Sequence, residues 1–116
     1  MAKKLKRVPA FFYQTAAGEE PVREWLRALN EEDRKVIGDD IATVEFGWPI
    51  GMPVCKSLKG GLWEVRSSLP SKREARILFF VSDDRMVLLH GFVKKSQKTP
   101  RSDLDLAKRR MKEIEK

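Results

Sequence analysis

The chain has 116 residues, of which 41% are hydrophobic and 35% are charged, and its formal net charge is +7. This length suits one domain spanning residues 1–116, and no run approaches the ~20 apolar residues of a membrane span, so we expect a cytoplasmic protein with no membrane partner. Its one cysteine and one histidine exclude an internal disulfide and the usual His/Cys metal sites, so we expect no metal.

The charge is distributed unevenly along the chain. Lys and Arg outnumber Asp and Glu by four in residues 1–13, by three in 56–89 and by five in 90–116, whereas residues 14–55 carry five excess acidic groups. Such an arrangement would steer a polyanion toward one side, as expected of a nucleic-acid binder. The alternative is a basic domain without such a partner.

The N-terminal half predicts one strand and an acidic helical hairpin. Residues 7–13 are rich in aromatic side chains and predict a strand, and Pro9 places it at a sheet edge or a strand start. Pro21 suits the first residue of one helix and Asn30 the N-cap of the next, and both helices have an apolar stripe that should lie on a sheet. Residues 48–61, rich in glycine and proline, predict a loop.

Three strands are predicted after this loop, at 62–68, 74–81 and 86–93, with a turn near Pro70 and another at Asp83–Asp84. The second turn gives the antiparallel pairs Val81–Met86, Leu78–Leu89 and Arg76–Gly91.

This register makes two predictions about charged side chains. His90 would lie on the face opposite Arg76, and Arg66 would lie directly opposite Arg76 on the neighbouring strand. Two adjacent guanidinium groups repel unless an anion lies between them, and Glu64 or a phosphate would serve.

The C-terminal segment predicts a final helix with a basic exposed face. Thr99 and Pro100 suit its N-cap and first residue, and it should end near Glu115. The predicted architecture is an α+β domain of order β-α-α-β-β-β-α, with a small antiparallel sheet, an N-terminal helical hairpin and a C-terminal helix.

The basic residues of the sheet suggest metal-independent RNA cleavage. In this reaction a ribose 2′-hydroxyl attacks the adjacent phosphate, so the protein must move protons and stabilise a dianionic transition state. Arginine suits the second task because its planar guanidinium matches phosphate oxygens, which indicates Arg66 and Arg76. Lysine transfers protons where neighbouring positive charge disfavours its charged form, and Lys94, Lys95 and Lys98 form such a cluster.

Each candidate has a structural alternative. Arg66 and Arg76 would also form ion pairs with Glu64 or Glu74, and the lysines would serve as solvated charge. Glu64 and His90 are further candidates for proton transfer, although a histidine in an apolar run is more often a satisfied core residue.

A family resemblance lies in the segments LWEVR (62–66), ARILFF (75–80) and VLLHGFVKKSQKTP (87–100), followed by a basic helix. They resemble the HigB-type, phage-derived branch of the RelE/ParE superfamily of type II toxins, and the helical hairpin also fits. The resemblance implies a RelE-like fold and an mRNA interferase, an endoribonuclease that cleaves mRNA in the ribosomal A site without metal or cofactor. It also implies neutralisation by a cognate antitoxin, often a helix-turn-helix protein.

The resemblance carries over to particular positions. It assigns phosphate contact to Arg66, the transition-state clamp to Arg76 and proton transfer to Lys94 or Lys95, and we expect Arg76→Ala to abolish toxicity with the fold intact. The residues expected to bind RNA are Lys56, Lys59, Lys98, Arg101, Lys108 and Arg109. The general base stays open, because better-known ribonuclease members often place a tyrosine or histidine near the C-terminus and Tyr13 is the one tyrosine here.

Two alternative functions remain at this point. Members of the same superfamily look alike yet inhibit DNA gyrase, as ParE does. A non-catalytic nucleic-acid-binding domain would also explain the charge.

Overall fold

A computed structural model describes residues 5–94 and 98–115. This part of the chain forms three helices and a five-stranded sheet, which confirms the α+β class, and no described helix has the length and apolarity to cross a membrane. The elements in chain order are β1 (Ala10–Phe12), α1 (Pro21–Arg27), α2 (Glu31–Gly47), β2 (Cys55–Ser57), β3 (Trp63–Ser68), β4 (Glu74–Ser82), β5 (Arg85–Lys94) and α3 (Arg101–Glu115).

The sheet is mixed: the predicted antiparallel pairing holds for β2 to β5, and β1 departs from it. Its strand order is β1-β5-β4-β3-β2, and β1 pairs parallel with β5 while the other pairs are antiparallel. A parallel pair needs a long connection, and between β1 and β5 the chain passes through the helical hairpin and three further strands. The predicted edge position of the first strand is confirmed, although β1 is shorter than residues 7–13.

The predicted loop of residues 48–61 contains the short strand β2, which pairs antiparallel with β3. The element order is therefore β-α-α-β-β-β-β-α, and a RelE-like topology is not confirmed. The strand has only three residues, between Pro53 and Gly60, so it is too short for a period-two pattern to be detected in the sequence. It forms because it pairs with the edge of β3.

The helical hairpin covers one face of the sheet, as predicted. Pro21 is the first residue of α1, and the Asn30 side chain caps α2 by accepting a hydrogen bond from the backbone N–H of Asp33 at 2.8 Å. The buried apolar residues shared by the hairpin and this face are Val22, Ile37, Ile41, Val44, Val65, Ile77, Phe79 and Leu88. We call this side the hairpin face.

Helix α3 covers the opposite side, which we call the α3 face. Ala107 and Met111 pack there on Leu78 and the neighbouring apolar residues of β4 and β5. The helix begins at Arg101, two residues after Thr99.

The predicted capping role of Thr99 is wrong. The carbonyl of Pro100 accepts the first helical hydrogen bond, from the N–H of Leu104 at 3.1 Å. The Thr99 hydroxyl instead bonds to the side chains of Arg76 and Glu64 in the sheet, so it is not available to cap the helix.

The register of the β4–β5 hairpin is correct near the turn and wrong beyond it. Asp83 and Asp84 take φ values of 51° and 60°, and Val81 pairs with Met86 as predicted. A bulge then shifts the register, so the observed pairs are Leu78–His90, Ile77–Gly91 and Arg76–Phe92. One extra residue reverses the alternation of side chains, and His90 therefore shares the α3 face with Arg76.

Candidate functional site

Five charged side chains from three adjacent strands meet on the α3 face. They are Glu64 and Arg66 of β3, Glu74 and Arg76 of β4, and Lys94 of β5, and we call them the arginine cluster. Residues two apart on a strand share a face, and so do directly paired residues. The observed pairs Arg66–Arg76 and Glu74–Lys94 therefore bring the five together.

Glu64 lies between the two arginines. Its Oε1 is 3.0 Å from Arg66 Nε and 2.9 Å from Arg76 Nη1. Its Oε2 accepts a hydrogen bond from the hydroxyl of Thr99, and that hydroxyl accepts one from Arg76 Nη1 at 3.2 Å. The sequence-based prediction of an anion between the paired arginines is thus confirmed, and the anion is a carboxylate of the chain itself.

A second carboxylate completes the cluster. Glu74 Oε2 lies 3.1 Å from Arg76 Nη2 and 3.5 Å from Lys94 Nζ. Both ion pairs that the sequence offered as the alternative to phosphate contact are therefore present. The three cations exceed the two carboxylates by one positive charge, so the cluster retains attraction for an anion.

The members of the cluster differ in exposure. The side chains of Glu64 and Arg76 are 0% and 2% exposed, whereas that of Arg66 is 20% exposed. Desolvating an ion costs several kcal/mol even in a folded protein, so the ion pair between Glu64 and Arg76 must compensate both buried charges. Of the two arginines, Arg66 is the one that an approaching phosphate would meet first.

An open groove of about 400 Å³ lies beside Arg66. The carboxylates of Asp40 and Glu74 also line it, with apolar residues of α2 and of the segment before β2. Acidic side chains disfavour an anion in most of this groove, so the end near Arg66 is the part that suits a phosphate.

His90 and Asp103 form a second polar pair on the α3 face. His90 Nε2 lies 2.6 Å from Asp103 Oδ1, and the imidazole ring stacks on Phe92 with 5.6 Å between ring centroids. Across the described residues, 5–94 and 98–115, no group of His, Cys, Asp and Glu side chains has an arrangement that would hold a metal ion.

Cys55 is a buried residue beside the cluster rather than a part of it. Burial, followed by the negative charge of Glu64, raises the pKa of its thiol to about 11. The thiolate is the nucleophilic form, so Cys55 is a neutral, unreactive side chain at physiological pH.

The chain matches a protein-family model over most of its length. Residues 24–112 match the model described as phage derived protein Gp49-like (DUF891), which covers more than half of the sequence. The chain belongs to the Gp49-like family. No curated protein matches it. Membership of this phage-derived family is consistent with a toxin-like function, while the HigB branch stays a prediction.

The segment that matches the Gp49-like family contains every site residue predicted from the sequence. Lys56 pairs with Glu64 across β2 and β3 and so lies on the α3 face at the sheet edge. The basic residues predicted to bind RNA are all exposed: Lys56, Lys59, Lys98, Arg101, Lys108 and Arg109. Lys95 lies outside the described residues.

Sequence reasoning missed two residues of this Gp49-like site. Thr99 joins the arginine cluster, and Asp103 holds His90. The sequence feature that could have predicted them is the short connection between β5 and α3. Only six residues, 95–100, separate the two elements, so the start of α3 must lie close to the end of β5.

Proposed function

We propose that this protein is the toxin of a type II toxin–antitoxin system and acts as a ribosome-dependent mRNA endonuclease. The observation that carries the proposal is the arginine cluster, in which Glu64 holds Arg66 and Arg76 side by side at 3.0 and 2.9 Å. Its Gp49-like family supports the toxin class. The reaction is attack of a ribose 2′-hydroxyl on the adjacent phosphate in the A site, and it uses no metal ion bound to the protein.

Glu64 holds the arginine side chains of the cluster in fixed positions, which suits them to stabilise an anionic transition state. Catalysis of this kind depends on donors fixed before the reaction, because no energy is then lost in reorganising them. Arg66 is the accessible donor and would contact the scissile phosphate. Arg76 fixes Glu64 from beneath, and it would itself reach the phosphate only if Thr99 moved away.

The requirement for a ribosome follows from the shape of the site. Arg66 lies beside an open groove on the sheet rather than in a closed cavity, and such a surface cannot hold a flexible RNA in line for attack. A ribosome would supply that alignment, and the exposed cations of α3 would bind ribosomal RNA.

A cognate antitoxin is the expected partner. Such an antitoxin would block the cluster by covering the α3 face or by displacing α3 and the residues just before it. Thr99 there bonds to Glu64 and Arg76, and Asp103 in the first turn of α3 bonds to His90.

A second function has one observation in its favour. Arg66, Arg76 and Lys94 all bond to carboxylates of the chain itself, as they would if the cluster were purely structural. A toxin that inhibits DNA gyrase without cutting RNA, as ParE does, would have no need of free arginines.

Induced expression in bacteria tests the proposal. We expect growth arrest with fragmented mRNA and no early DNA-damage response, and we expect Arg66→Gln to restore growth at equal protein level. Growth arrest with intact mRNA and a DNA-damage response would replace the nuclease with gyrase inhibition. Normal growth with the wild-type chain would refute both toxin functions.

A further inference from the structure

A cleft of about 220 Å³ lies outside the arginine cluster, at the edge of β5 between α1 and α3. It exists because β1 covers only the first part of β5: the last hydrogen bond between them joins the Tyr13 N–H to the Leu88 carbonyl. The residues that line the cleft are Pro21, Val22, Trp25, His90, Gly91, Leu106 and Arg110.

One wall of the cleft is the indole ring of Trp25. Gly91 permits its position, because a Cβ at that residue would lie 2.5 Å from Trp25 Cε3. A flat aromatic surface in a cleft of this size suits stacking of one unpaired nucleobase.

The imidazole of His90 is held in one orientation at this cleft. Asp103 accepts the Nε2 hydrogen at 2.6 Å and Phe92 stacks against the ring. In the neutral ring the Nε2 proton makes Nδ1 the acceptor nitrogen, and none of the described residues hydrogen-bonds Nδ1. The side chain is 17% exposed, so a ligand can reach it.

The cleft adjoins the arginine cluster. His90 pairs with Leu78 while Phe92 pairs with Arg76, so His90 and Arg76 are diagonal neighbours on one face, which lie about 7–8 Å apart in such an arrangement. Thr99, just before α3, bonds to Arg76, and Asp103 in the first turn of α3 bonds to His90. If Thr99 moved aside and a phosphate reached Arg76, the ribose of that nucleotide would lie toward His90.

We propose that His90 is the general base of the RNA cleavage and that Asp103 is its positioning residue, an assignment that rests on the nuclease function proposed above. The reacting nucleotide stacks its base on Trp25. His90 Nδ1 takes the 2′-hydroxyl proton while the 2′-oxygen bonds to phosphorus and the bond from phosphorus to the 5′-oxygen breaks. The leaving oxygen takes a proton from water, the imidazolium returns its proton to solvent, and the products are a 2′,3′-cyclic phosphate and a 5′-hydroxyl.

Asp103 has the role that a carboxylate has in other histidine-dependent enzymes. It selects the tautomer with Nδ1 free and stabilises the imidazolium that forms. The other charged residue of the cleft is Arg110, which donates a hydrogen bond to the Leu89 carbonyl at 2.7 Å. The lining residues from α1 are uncharged.

Single-turnover cleavage of mRNA on programmed ribosomes, at saturating purified protein, tests this assignment. We expect His90→Gln to slow cleavage about 10²-fold or more with an unchanged half-saturating concentration, and Asp103→Asn to slow it to a smaller extent. Asp105→Asn, an exposed carboxylate of the same helix, is the matched control and should cut at the wild-type rate. Thermal unfolding confirms that each variant is folded.

Chemical rescue separates a catalytic from a structural histidine. Added imidazole should restore cleavage by His90→Ala and should not accelerate the wild type or Asp103→Asn. A wild-type rate in His90→Gln, or a folded His90→Ala that imidazole does not rescue, would overturn the assignment while leaving the nuclease function in place. Absence of cleavage by the wild-type protein would overturn the nuclease function itself and this assignment with it.

Discussion

Glu64 is the residue on which the arginine cluster depends. It is fully buried and accepts from Arg66, Arg76 and Thr99, so its charge is compensated only as long as those partners stay. This dependence distinguishes the two arginines, because Arg76 is buried with Glu64 whereas Arg66 approaches from the rim.

Substitution of the two arginines should separate stability from activity. Arg76→Ala removes the buried partner of Glu64 and should lower the free energy of unfolding by about 3–5 kcal/mol, whereas Arg66→Gln should lower it by about 1 kcal/mol or less. Urea denaturation measures both. Equal stability of the two variants would show that Glu64 does not depend on Arg76.

This difference revises the expectation that Arg76→Ala leaves the fold intact. The sequence indicated that the two arginines are paired, since that follows from strand register. It did not indicate which of them is buried, because burial depends on where the first turn of α3 lies.

Asp33 links the start of α2 to the turn between β3 and β4. Its carboxylate accepts hydrogen bonds from Ser71 Oγ at 2.9 Å, Asn30 Nδ2 at 3.1 Å and Arg73 at 3.4 Å. Burial alone would raise the pKa of Asp33, but the hydrogen bonds from Ser71, Asn30 and Arg73 outweigh it and the pKa lies below its ordinary value of 3.8.

The link should make stability depend on pH. A carboxyl with a lowered folded pKa stabilises the fold fully above its ordinary value, and this stabilisation is lost as the pH falls through the lower, folded value. Asp33→Asn should therefore be less stable than the wild type at pH 7, and the difference should shrink as the pH falls below about 4. Denaturation at pH 7 and at a pH below about 4 measures this difference in stability, with Asp39→Asn, a change at an exposed carboxylate of α2, as control. A difference that is the same at both pH values would contradict the ionic role of Asp33.

Contact between α1 and β5 depends on Gly91. A methyl group there would enter the ring of Trp25, so Gly91→Ala should destabilise the fold by about 1–3 kcal/mol. Gly38 in the middle of α2 has no heavy atom near its Cβ position, and Gly38→Ala should stabilise the helix by about 0.5–1 kcal/mol. Opposite shifts of the two melting temperatures are expected, and a neutral Gly91→Ala would show that Trp25 moves freely.

The elements of the fold differ in how far the sequence could predict them. Helical periodicity, Pro21 and Asn30 were enough to predict the helical hairpin. The turn at Asp83–Asp84 was enough to predict the pairing of β4 with β5. The bulge at Leu89 and the strand β2 left no local pattern, because both result from the fit of one strand to its neighbour. As a consequence His90 was predicted on the wrong face.

The whole molecule is electrically polarised across its sheet. The hairpin face carries the acidic helix α2, and the α3 face carries the arginine cluster and the exposed cations of α3. This agrees with the uneven charge of the sequence, and it predicts that RNA approaches from the α3 side.

Removal of the same charge from opposite sides tests this polarity. Lys108→Gln with Arg109→Gln should weaken binding to ribosomes and reduce the salt dependence of the affinity, by roughly one unit of slope per lost phosphate contact. Arg34→Gln with Lys35→Gln, which removes two exposed cations of α2, should have little effect. Equal losses from both pairs, measured by sedimentation over a salt series, would mean that net charge alone drives binding.

Primer extension on mRNA-programmed ribosomes would show whether the arginine cluster cuts mRNA on the ribosome. The wild-type protein should produce cuts in register with the A-site codon, and none in the same mRNA without ribosomes. Arg66→Gln should slow cutting about 10²-fold or more, while Arg27→Gln, an exposed arginine of α1, should cut normally. The nuclease function would be contradicted by an absence of cuts, by equal cutting of free mRNA, or by undiminished cutting with Arg66→Gln.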